Sequence, residues 1–144
     1  PTSNKIVWKW SKGENLGNSD AGKPATGDTR YAFCLYDADE TLLYSATVPA
    51  GANWVEKGLR YTYKDKEQSR EGIKSIKIAL GGPGKAKASM VASNKLGTLT
   101  TLIPPPYGAL PLRAQLVNDR DTCLEAVYAV PSRNQEGKLT ATGQ

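Results

Sequence analysis

The sequence predicts an all-β protein, an antiparallel β-sandwich of Greek-key or jelly-roll type with roughly seven to nine strands and one disulfide. Three observations predict it. Apolar and polar residues alternate along most of the chain, the period-two pattern of half-buried strands. Glycine and proline (14 and 9 residues) punctuate those runs and cut them short. Two cysteines, Cys34 and Cys123, each sit inside an alternating segment.

The elements follow in order. Residues 5–11 put Ile6, Trp8 and Trp10 on one face of a strand. Residues 12–29 scatter Gly13, Gly17, Gly22, Pro24 and Gly27 among polar residues, a long loop. Residues 30–37 are apolar on both faces, with Tyr31, Phe33 and Leu35 opposite Ala32, Cys34 and Tyr36, which suits a central strand. Asp37, Ala38, Asp39 and Glu40 read as a turn, and residues 41–48 as the returning arm of a hairpin.

Pro49 to Asn53 turn the chain toward Trp54, and residues 59–64 form the next strand, with Leu59, Tyr61 and Tyr63 on one side. A charged connection, 65–72, leads to a strand at 73–80 whose Ile76, Ile78 and Leu80 share a face. Gly81, Gly82, Pro83 and Gly84 turn it into residues 85–92, where Lys85, Lys87 and Ser89 alternate with Ala86, Ala88 and Met90. Residues 96–103 add a short strand before Pro104, Pro105 and Pro106, which cannot donate to a ladder. Strands at 109–117 and 122–130 flank a turn at Asn118 to Asp121. The organisation is therefore an N-terminal strand and Gly-rich loop (1–29), a sandwich body (30–130) and a polar tail (131–144).

A chain of 144 residues suits one domain with its own core. Its hydrophobic and charged fractions, 39% and 23%, are ordinary for a globular protein. The net charge of +5 fits a solvated basic surface or, alternatively, attraction to a polyanion such as acidic polysaccharide, a membrane surface or nucleic acid. The basic residues are spread out with no long like-charged run, which argues against a nucleic-acid arm. No apolar stretch is long enough to insert in a membrane. The chain opens at Pro1 and not at methionine, which predicts a removed leader or an excised domain, and a removed leader fits export.

The cysteines read as a disulfide closing a loop of roughly ninety residues, worth about 4–5 kcal/mol. The competing reading is two buried free thiols. With no histidine, triads and histidine-bearing metal sites are ruled out, so no catalytic residue, metal or cofactor is expected. Asp37, Asp39, Glu40, Asp119 and Asp121 all fall in turns, where carboxylates cap backbone amides. Lesser readings are a calcium loop from Asp37, Asp39, Asp119 or Asp121, and a glycosidase carboxylate pair. The stretch Gly81 to Lys85 lacks the spacing of a phosphate loop and reads as a turn. Trp8, Trp10, Trp54, Tyr61, Tyr63 and Tyr107 read as core packing, or as a platform for sugar rings. Ile6, Val7, Trp8 and Trp10 also have the look of a donor strand that completes a neighbour's sheet.

Several pieces occur in a recognisable order: Ile6-Val7-Trp8-Lys9-Trp10 with Lys12-Gly13; Tyr31, Cys34 and Tyr36-Asp37; Tyr63-Lys64-Asp65-Lys66; Gly72-Ile73; Gln115-Leu116-Val117-Asn118; and Cys123 with Glu125-Ala126. In this the chain resembles a β-rich module of exported proteins in myxobacteria and related environmental bacteria, over most of residues 5–128. The resemblance implies an extracellular compartment and paired cysteines, and no catalytic residues.

The expectation from sequence is thus a secreted, non-enzymatic structural protein, the subunit of an extracellular fibre or matrix assembled by β-strand contacts. The alternative is a carbohydrate-binding module using surface tryptophans. Self-association and polysaccharide are the expected partners, and nucleic acid is not.

Overall fold

The computed structural model describes residues 4–11, 21–82, 85–100, 102–103, 107–120, 122–129, 131, 133–135 and 138–141. Among these residues it is all-β, with eleven strands: β1 (Lys5–Ser11), β2 (Tyr31–Tyr36), β3 (Leu42–Val48), β4 (Trp54–Lys57), β5 (Arg60–Lys64), β6 (Ile73–Ala79), β7 (Lys87–Ser93), β8 (Leu112–Asn118), β9 (Cys123–Tyr128), β10 (Arg133–Gln135) and β11 (Lys138–Ala141). They form two sheets, a seven-stranded one ordered β10-β11-β1-β7-β6-β5-β4 and a four-stranded one ordered β3-β2-β8-β9. All neighbours are antiparallel except β1 and β11, which run parallel.

Alternation decides which side each strand buries. The inward residues of both sheets make one shared core. Across it, Trp8 of β1 tilts against Phe33 of β2 with ring centroids 5.4 Å apart, and Tyr31 of β2 meets Trp54 of β4 at 5.2 Å. Such tilted aromatic pairs add to the area they bury.

The structure departs from the sequence reading in four places. Strand β4 was not expected, because only Trp54 of its four residues is buried and no alternation is visible. Residues 96–100 form no strand; Gly97 N closes a turn on Asn94 O (2.9 Å), while Leu99 N donates to Asn94 Oδ1 (3.0 Å) and Thr100 N to Glu71 Oε1 (2.9 Å). The segment expected to be a polar tail supplies β10 and β11, and Leu139 and Ala141 are each only 1% exposed. Asn134 fastens this hairpin to the body: its Oδ1 accepts from Tyr107 N and its Nδ2 donates to Tyr107 O, both at 2.7 Å. Finally, β1 sits inside the large sheet, held by β7 on one side and β11 on the other. Its Ile6, Trp8 and Trp10 are core residues. The expected assembly strand Ile6, Val7, Trp8 and Trp10 is therefore a central strand of its own domain here, and its departure would open the core.

Candidate functional site

The two cysteines are not bonded. Both face outward on the small sheet, Cys34 on β2 and Cys123 on β9, with β8 between them. Cys34 stands opposite Gln115 and Cys123 opposite Val117, two residues further along β8. Two strand spacings alone separate their backbones by about 10 Å. A disulfide needs Cα atoms within roughly 7 Å. The expected bridge across the core is thus corrected to two separate thiols on one outer face. Burial pushes the Cys34 thiol up, partly offset by its hydrogen bond with Tyr36; burial and then Glu125 do the same at Cys123. Protonated thiols are poor nucleophiles.

The expected aromatic platform is also absent from the surface. Trp8, Trp10 and Trp54 are 0%, 6% and 3% exposed, and Tyr61, Tyr63 and Tyr107 are likewise buried. Trp54 Nε1 donates to Pro49 O at 3.0 Å, and Tyr107 OH to Ile103 O at 2.7 Å. Burial and then the nearby Asp65 carboxylate push Tyr63 up to about 12. These rings line the core, where no sugar reaches them.

Of the turn carboxylates, Asp37 caps its own turn, whereas Asp119 ties its turn to the residue before β2. Asp37 Oδ1 accepts from Asp39 N (2.9 Å) and Thr41 N (3.0 Å). Asp119 accepts from Arg30 N at 3.1 Å and pairs with its guanidinium at 3.4 Å. Asp37 follows β2 at one end of the small sheet, whereas Asp119 lies beside the start of β2 at the other. Six ladder positions of about 3.3 Å put them roughly 20 Å apart, too far to share an ion or a substrate. Asp121 lies outside the described residues. Among the described residues no group of three metal-binding side chains occurs.

What the fold does assemble is a cationic face. The outer side of the large sheet carries Lys5 and Lys9 on β1, Lys87 on β7, Lys77 on β6, Arg60 and Lys64 on β5, Lys57 on β4 and Lys138 on β11, all exposed. Between them stand Val7, Ser89, Val91, Ser93, Ser75, Ala79, Thr62, Val55 and Thr140. None of these outward positions is Asp or Glu, and among the described residues none of these cations forms an ion pair.

The small sheet is the opposite. Its Arg113 lies between Glu40 (3.3 Å) and Glu125 (3.6 Å) and covers the Tyr36 ring at 4.9 Å. Among the described residues, the outward side of the small sheet therefore carries no comparable excess of positive charge. Sequence reading took these lysines as scattered because each strand shows only one or two. The signal was the alternation itself: once the sheet order is known, every outward lysine falls on the same surface.

No family model, curated protein or solved structure matches the chain, so nothing in those comparisons links it to the exported myxobacterial module.

Proposed function

We propose that the chain is a non-enzymatic binding module whose seven-stranded sheet attaches to an anionic polymer. One observation carries this reading: the eight basic residues named above share a face on which, among the described residues, no outward strand position is Asp or Glu. Unpaired like charges on a rigid surface create a field that a polyanion relieves, because binding releases its counterions. The extracellular location is part of the proposal, since the thiols are separate and lend it no support.

The test is retention on dextran sulfate as salt is raised. The triple variant Lys9→Glu, Lys77→Glu, Lys87→Glu should elute far earlier than wild type. Lys23→Glu, Lys95→Glu, Arg120→Glu changes the net charge equally but lies off the face, and should elute close to wild type. Equal loss in both would show that retention follows net charge alone and would refute a dedicated surface.

A second reading, strand-mediated assembly into a fibre, is favoured by β9. It pairs with β8 on one side and, among the described residues, with no strand on the other. Val127 on this edge is 52% exposed. Open apolar edges template pairing with another chain. Electron microscopy and sedimentation of concentrated protein should then show filaments that Val127→Lys suppresses. A single monomeric species at high concentration would count decisively against it.

A further inference from the structure

The cations are not evenly spread over the face. Register places Lys9, Ser89, Lys77, Thr62 and Val55 in one row across β1, β7, β6, β5 and β4. The adjoining row holds Lys87, Ala79, Arg60 and Lys57. Together the two rows give each of these five neighbouring strands one cation. The band runs perpendicular to the strands over four spacings of about 4.8 Å, roughly 19 Å in all.

We propose that this band is the binding track of an acidic polysaccharide, laid across the strands with its carboxylates or sulfates on Lys9, Lys87, Lys77, Arg60 and Lys57. The proposal rests on the polyanion reading above and narrows it to one ligand class. Several features select that class. The positions beside the cations are Ser89, Ala79, Thr62 and Val55, side chains small enough for a pyranose ring to lie close to the sheet. The two hydroxyls among them match sugar hydroxyls, which both donate and accept.

Single-stranded nucleic acid binds such surfaces by stacking bases on aromatic rings. Among the described residues the aromatic side chains of these strands all point into the core.

A membrane fits poorly for a geometric reason. Neighbouring strands rotate by about 20–25°, so the band turns through roughly 80–100° over its length. A planar bilayer touches only part of such a surface, whereas a flexible linear polymer follows it throughout.

Titration calorimetry on the full chain at physiological salt tests this with four probes: polygalacturonate, neutral dextran, a DNA duplex and phosphatidylserine vesicles. Polygalacturonate should bind and dextran should not. Lys9→Glu with Lys77→Glu, inside the band, should weaken polygalacturonate about tenfold or more. Lys5→Glu with Lys64→Glu, on the same face but outside the band, should weaken it distinctly less. Thermal melts confirm that both variants fold, and Lys77→Gln provides a milder substitution if either does not. Preference for duplex or vesicles, or equal losses in the two double variants, overturns the polysaccharide track and leaves the polyanion reading standing. Failure to bind any charged probe overturns both.

Discussion

Asp65, at the exit of β5, is a buried carboxylate that organises the turn before β6. Its oxygens accept from Glu67 N (3.0 Å), Ser69 N (2.9 Å) and Ser69 Oγ (2.7 Å), with Tyr63 OH at 3.4 Å. Burial alone would raise its pKa, but these donors together hold the carboxyl below the usual aspartate value. The turn they enclose is tight: Gln68 and Glu71 have φ of 51° and 50°, and Gly72, at 76°, packs so closely that a Cβ would lie 2.6 Å from Ser93 O. Removing the acceptor strands several amides at once. Asp65→Ala should cost about 1–3 kcal/mol, read as a lower urea midpoint. A depressed folded pKa means that the contribution is present above the unfolded value near 4 and is lost as pH falls through the folded one. Wild type should therefore converge toward the variant in acid; a difference that stays constant down to low pH would contradict this role.

Among the elements, β11 is where the sequence was least readable and the structure most dependent. Its four residues are Lys138, Leu139, Thr140 and Ala141, a single alternation inside a polar stretch. Nothing local marks it as a strand, since strands this short take their stability from neighbours. Its partner supplies the reason: β1 has an edge that needs covering, and Leu139 pairs beside Ile6. Leu139→Ala should destabilise by about 2–5 kcal/mol, the range for a buried leucine, measured by denaturant unfolding. A cost below about 0.5 kcal/mol, usual for surface positions, would mean that the hairpin is dispensable. Strands β1, β2, β3, β5, β6, β7, β8 and β9 were legible as strands because each carries apolar residues in a repeated pattern. Strands β4 and β10 were not, being short and lacking a repeated apolar side.

At the scale of the whole molecule, burial could be read from sequence more easily than partnership. The aromatic residues of β1, β4 and β5 were recognisable as a group, but alternation alone does not say whether a face meets a core or solvent. The second sheet settles it by covering them. The cysteines failed for a related reason. Two strands can each be identified correctly while the sheet order that puts a third, here β8, between them remains unknown. The cationic face shows the same limit. Its residues come from six strands spread from Lys5 to Lys138, and only the order of those strands makes them neighbours.

The parallel pairing of β1 and β11 has a mechanical side. Lys5 lies beside Lys138 and Trp8 beside Ala141, so both strands point the same way. The chain therefore enters β1 at one end of this ladder and leaves β11 at the other. Tension applied through the flanking chain pulls the two strands past each other along their length. The hydrogen bonds between them are then loaded together in shear, and cannot be peeled apart one after another. When the two ends of this ladder are pulled apart, this is the arrangement that resists being opened.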